Sequence, residues 1–410
     1  MQATRAKSQT QGRIVCLGAF ITSVSFFIDL PLIPLYYREL GHGTGGGIGA
    51  GLTVSVTFII SAIVSPIWGR ASDRFGPRSM IARASLSMTI VYVLMALCVS
   101  PAQLFIMRVL NGFGSGFQPA AGQYLLGLVP EERRGRAFSE ISIARSSGAI
   151  IGPALGGFLA AGVGYRAAFL TAGALTAVSG IITLTAGKVE RPTEQKAGSK
   201  SSGRGTWNLP KAAVALLGIF AFVTAAATML QFSLPVTLAG MTSEKTALNV
   251  GGLVFTITGV VGISAAYPWG MAIDRFGYWK TLIVTQIGVL PLLLAGSLAA
   301  NAWQLSTVFI VYTIVSAEIG TMLQLAIVDK CGEGRSGQAL GFTNTASRLG
   351  LAAGPLAAGW AGEVGGSTAV FLAVFVAHLI ILGYVLLSSR GTRPGEAEVH
   401  AGDDQRSEVA

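Results

Sequence analysis

The chain has 410 residues, of which 51% are hydrophobic and only 12% charged, and it carries a net charge of +10. A soluble domain has about 25% charged residues, so this composition excludes a water-soluble core and removes the usual reason to read positive charge as a nucleic-acid surface. Cys16, Cys98 and Cys331 are too few and too scattered for a disulfide frame or a metal site.

About 20 mainly apolar residues cross the hydrocarbon of a bilayer. That length predicts helices at 14–37, 48–68, 80–99, 103–128, 138–162 and 166–187, then at 212–238, 249–272, 281–300, 303–328, 338–361 and 368–388. The first stretch follows Arg5, Lys7 and Arg13, is too long for a signal-peptide core, and contains Asp29, Pro31 and Pro34. It is expected to stay as a transmembrane helix. Residues 188–211 are rich in Lys, Ser and Gly and read as a flexible linker. The polar tail 390–410 is expected to be disordered. The expected organisation is therefore a six-helix half (1–187), a linker (188–211), a second six-helix half (212–389) and a tail.

Placing the basic residues between these spans fixes an orientation. Of the 29 Lys and Arg, twenty-three fall on the side that holds both termini. Only Arg38, Arg166 and Lys245 fall on the other side, and Arg108, Arg145 and Arg348 lie within spans. Basic residues stay on the cytoplasmic face, so both termini are expected in the cytoplasm of a multi-pass protein of the inner (plasma) membrane.

The halves repeat each other. Gly69-Arg-Ala-Ser-Asp73-Arg74-Phe75-Gly76 after span two returns as Gly270-Met-Ala-Ile-Asp274-Arg275-Phe276-Gly277 after span eight, 201 residues later. Gly148-Ala-Ile-Ile-Gly152-Pro153-Ala-Leu-Gly156-Gly157 in span five is echoed by Gly350-Leu-Ala-Ala-Gly354-Pro355-Leu-Ala-Ala-Gly359 in span eleven, at offset 202. Two matches in register at equivalent spans indicate a duplicated six-helix unit.

On these motifs the sequence resembles the major facilitator superfamily over essentially the whole chain. Gly69, Asp73, Arg74, Gly76 and Arg78 look like its loop between helices two and three, with Gly270, Asp274, Arg275 and Gly277 as the repeat. Arg108 with Asn111, Gly112 and Gly114 resembles the helix-four motif. Gly148, Gly152, Pro153, Gly156 and Gly157 resemble the helix-five motif of drug/proton antiporters, and the run Pro130-Glu-Glu-Arg-Arg-Gly-Arg136 fits the same branch. The resemblance implies an all-α membrane protein with twelve transmembrane helices in two pseudo-symmetric bundles. It also implies a proton-relay part for Arg108.

Independent physical readings accompany these motifs. Asp73 at the end of span two is placed to meet the positive N-terminus of span eleven, near Gly337, as a latch between halves; Arg70, Arg74 and Arg78 also serve insertion. Gly148, Gly152 and Gly156 share one helix face and allow a close crossing, while Pro153 removes a helix hydrogen bond.

Ionisable residues inside spans are costly and default to functional candidates. Asp29 and Arg108 are placed at matching depth by helix rise, as are Glu318 and Arg348; Arg145 is the alternative partner of Glu318. One reading makes them static ties between helices. The other makes Asp29 and Glu318 proton or substrate groups, with the arginines tuning them or holding anionic cargo. His378 reads as a packed residue.

The expected function is proton-coupled efflux of small organic molecules (drugs, antibiotics or a secreted metabolite such as a siderophore) by alternating access. The alternative is a proton- or cation-coupled symporter importing a sugar, nucleoside or organic acid. No Walker loop, metal-ligand cluster or nucleophile–base set appears, so no enzyme activity and no cofactor beyond the proton gradient are expected. The expected partners are a small-molecule substrate and the lipid bilayer, not nucleic acid, with a functional monomer.

Overall fold

The computed structural model describes residues 2–41, 47–129, 134–187, 210–332 and 336–389. Residues 188–209 of the expected linker (188–211), the tail at 390–410 and residues 130–133 of the loop after span four lie outside the described residues, and Lys211 already opens a helix. Everything described is helix or short turn, without a strand among the described residues.

Twelve crossings follow in the predicted order. Span one is Gln2–Asp29 continued by Ile33–Leu40, span two Gly47–Phe75, span three Pro77–Ala96, and span four Pro101–Gly114 continued by Phe117–Leu126. Spans five and six are Arg134–Val163 and Tyr165–Thr185. The second half has Lys211–Met241, Glu244–Phe276 and Tyr278–Ser297, and then span ten as Ala302–Ser316 plus Ile319–Cys331. Spans eleven and twelve form one run, Ser336–Ser389, bent where Gly365 and Gly366 leave helical geometry. Ten of the helices meet the length and apolarity of a membrane span. The halves of span four are each shorter than that, and spans eleven and twelve merge into one of the ten.

Spans one, four and ten were expected as continuous helices and are not. In span one Pro31 has no N–H to donate and disfavours helical geometry at Leu30. The chain turns there, with Leu32 N bonded to Asp29 O at 3.0 Å, and restarts at Ile33-Pro34. Span four breaks at Ser115-Gly116, where Gly116 takes φ 117°, open to glycine but not to most residues. Span ten breaks at Ala317-Glu318, which is the equivalent position 202 residues on.

Each half has its own apolar core. Ile28, Leu32, Tyr92 and Phe169 are central in the first, and Leu230, Leu282, Met322 and Ile381 in the second. The glycine motif does what its spacing predicts for packing. A Cβ at Gly148 would meet Ser23, at Gly152 Phe27, and at Gly156 the backbone of Ile28, so span five lies directly on span one. Its echo acts alike, with Gly350 against Ala221 and Thr224, and Gly354 against Thr228, setting span eleven on span seven.

The halves touch mainly at the end opposite the basic loops. There Gly51 meets Pro355, Gly47 meets Gly359, and Gly157 meets Leu248 and Gly252. Two hydrogen bonds reinforce this end: Ile48 N donates to Glu363 Oε1 at 2.9 Å, and the Tyr165 hydroxyl donates to Glu244 Oε1. Two others cross near mid-depth, Thr256 Oγ1 to Ile150 O at 2.9 Å and Arg348 Nη1 to Ser61 Oγ at 3.4 Å. Beyond that depth a groove of about 410 Å³ opens between spans two and eleven. The molecule is thus closed at the far end.

Candidate functional site

Asp29 is the last helical residue before the break in span one, so its carboxylate stands where the backbone turns. Arg108 points at it from span four, Nη1 to Oδ2 at 2.7 Å, and both residues are 0% exposed. The depth-matched pairing of these two is therefore present as a sealed ion pair. Tyr92 and Asn111 stand beside it, and Thr57 Oγ1 holds the Arg108 carbonyl at 2.8 Å. Asp29 Oδ1, Arg108 Nε and Nη2, the Tyr92 hydroxyl and Asn111 Nδ2 are buried without a well-formed hydrogen bond. That is unusual in a protein interior, where most such groups are satisfied. The cluster keeps capacity for a change of proton or partner.

The second depth-matched pair is not formed. Arg348 Nη1 turns to Ser61 instead of Glu318, and Ser61 Oγ accepts from Ser115 Oγ at 2.9 Å, at the break of span four. Glu318 caps the second helix of span ten without a side-chain cap bond, and Glu318, Arg348 and the exposed Arg145 form no ion pair among the described residues. Neither expected partner of Glu318 reaches it. Helix rise fixes height but not rotation about the axis, and rotation decides which side chains meet.

The loop motif has the same backbone in both halves. Gly76 and Gly277 adopt φ 85° and 79°, which explains glycine at both sites and starts the next helix in the same direction. Gly69 and Gly270 have open space around them. Asp73, Arg74, Asp274 and Arg275 are exposed, with Arg74 over the Phe75 ring and Arg275 over the Phe276 ring at 5.3 and 5.2 Å. Arg78 donates to the Leu184 carbonyl at the end of span six. The proposed latch from Asp73 falls at the start of span eleven, where 333–335 and the side chains near Gly337 are outside the described residues.

Sequence reasoning missed a duplicated pair of tryptophans. Trp68 Nε1 donates to Phe113 O at 2.9 Å and Trp269 Nε1 to Ile314 O at 2.7 Å. These carbonyls lose their helical partners at the breaks in spans four and ten, and an orphaned carbonyl needs a donor. Arg83 adds a second cover in the first half, stacked 3.7 Å over the Trp68 ring and donating to Phe113 O and Ser115 O at 3.2 and 2.6 Å. The signal was present, since Trp68 and Trp269 precede the two loop motifs by the same step. His378 is packed as expected, between the Gln286 amide oxygen at 2.7 Å and the Tyr312 hydroxyl at 3.4 Å.

Among known families, the model of the Major Facilitator Superfamily matches residues 15–355 and 220–408. The chain belongs to that superfamily. It is a multi-pass membrane transporter. The multidrug resistance protein MdtG of Proteus mirabilis (strain HI4320) is 29% identical over 365 residues, covering 87% of this chain and 90% of that protein. MdtG of Serratia proteamaculans (strain 568) is 28% identical over 393 residues, 93% and 95% of the two chains. Among solved structures, a bacterial homolog of the human lysosomal transporter Spinster, inward-facing and occupied, superposes with a TM-score of 0.75 at 14% identity over 92% of this chain and 96% of that one. The nucleoside transporter NupG gives 0.68 at 14% identity over 92% and 98%. At such identities the structural likeness concerns the superfamily fold.

Proposed function

We propose that this superfamily member is a proton-coupled exporter of small organic molecules, working by alternating access with its basic end and both termini in the cytoplasm of the inner membrane. The sealed Asp29–Arg108 pair carries this reading. At the offset of 201 that relates Pro34 to Pro235 and Trp68 to Trp269, Asp29 corresponds to Leu230 and Arg108 to Phe309. A purely structural tie would serve both halves equally, yet among the described residues only the first half bears the cost of a buried charge pair. A carboxylate whose neighbour can approach or withdraw changes its proton affinity with conformation. The break in span one lies directly beside it, where such movement is easiest. The bonds and glycine contacts that close the far end are compatible with one of the two closures that alternating access requires.

Export rests on the resemblance of Gly148, Gly152, Pro153, Gly156 and Gly157 to the helix-five motif of drug/proton antiporters and on relatives named multidrug resistance proteins. The test uses everted membrane vesicles energised to an acidic interior and a panel of dyes and antibiotics. Uptake of a panel member that stops when the gradient is collapsed supports export. Uptake seen only in right-side-out vesicles would establish import instead.

A further inference from the structure

We propose that the groove between spans two and eleven binds a small anionic amphiphile, its acidic group on Arg348 and its apolar body along Ile59, Ile63, Leu349 and Ala352. This narrows the cargo of the export reading above and rests on it only in calling the ligand cargo.

The groove measures about 410 Å³, within the range of drug-sized ligand sites, about 300–1,000 Å³. Its walls come from both halves and are apolar, apart from Ser65, Thr345 and Arg348. Arg348 is the decisive feature. A guanidinium offers five donors, and one long bond to Ser61 at 3.4 Å is what the structure supplies. No carboxylate among the described residues pairs with it. Intramembrane arginines are normally paired or face a cavity where they meet a ligand. An acidic group of carboxylate, sulfonate or phosphonate type matches the guanidinium fork in charge and shape. A cationic amphiphile is repelled, and a neutral one leaves the guanidinium unpaired. The volume of about 410 Å³ is that of a drug-sized ligand, so the occupant is assigned as a free amphiphile, with a membrane lipid as the alternative the experiment separates.

The position also gives the site a consequence. An acid on Arg348 competes with Ser61, and Ser61 accepts from Ser115 at the break in span four. Binding between the halves thereby reaches the hinge of the helix that carries Arg108.

The experiment uses full-length protein in nanodiscs of zwitterionic lipid and the probe anilinonaphthalene sulfonate, with empty discs subtracted and no proton gradient. Saturable binding is expected, weakened about tenfold or more by Arg348→Gln, as befits loss of a charged hydrogen bond, and only partly kept by Arg348→Lys, which retains the charge without the fork. Ala62→Trp, which fills the groove without touching charge, abolishes it. Rhodamine 6G does not displace the probe. The proposal is overturned if Arg348→Gln or Ala62→Trp binds like the wild type while eluting as a folded monodisperse protein. Displacement by rhodamine 6G overturns it too, and loss of binding in discs containing phosphatidylglycerol assigns the groove to lipid headgroups instead. Asp29→Asn that elutes as a folded monodisperse protein keeps probe binding whether or not it pumps, so failure of this proposal and failure of proton coupling are told apart.

Discussion

A carboxylate and a guanidinium at 0% exposure hold each other in place, and neither tolerates losing the other. Removing one partner of a buried pair typically costs about 3–5 kcal/mol, because the remaining charge is left uncompensated. Arg108→Ala is therefore expected to lower the melting temperature of the detergent-solubilised protein steeply. The double variant Asp29→Leu with Arg108→Phe installs the residues of the second half. It is expected to melt near the wild type, because an apolar replacement of a buried pair is often neutral, yet to have no gradient-driven transport. A double variant that melts well and still pumps would make the pair a structural tie. Glu318 is a different kind of residue, standing at the break of span ten without an ion pair among the described residues.

At the scale of elements, breaks and close crossings do the positioning. Trp68→Phe and Trp269→Phe each strip one donor from a freed carbonyl while keeping the ring. Trp269→Phe should cost about 1 kcal/mol and Trp68→Phe less, because Arg83 still donates to Phe113 O, read as small drops in melting temperature that add in the double variant. The face of span five is less forgiving. In Gly152→Val the Cβ alone would lie 2.6 Å from Phe27 Cβ and 2.7 Å from Val24 O, and overpacking of this kind costs about 1–3 kcal/mol.

Over the whole molecule, twelve crossings and two halves were legible because apolar length and repeated motifs are one-dimensional signals. Gly76 and Gly277 could be read as a repeat before their shared positive φ was visible. The breaks were harder. Pro31 announced one, but Gly116 looked like any packing glycine in a Gly-rich membrane chain, and Ala317-Glu318 has neither Gly nor Pro at its turn. Among the charges, depth alone paired Asp29 with Arg108 and equally paired Glu318 with Arg348. Only the rotation of each helix, set by packing that apolar sequences hardly encode, separates the formed pair from the unformed one. The far-end bonds from Glu244 and Glu363 were illegible for the same reason, since each needs a partner from the other half.

The central claim is that Asp29 couples a proton gradient to transport. It is tested most directly in liposomes reconstituted with wild-type protein or Asp29→Asn, loaded with a dye found to be transported and given an imposed pH gradient. Wild-type protein should move the dye against its concentration gradient, whereas Asp29→Asn, reconstituted as a folded monodisperse protein, should exchange dye downhill and fail to concentrate it. Uphill movement by Asp29→Asn at the wild-type rate would contradict the account.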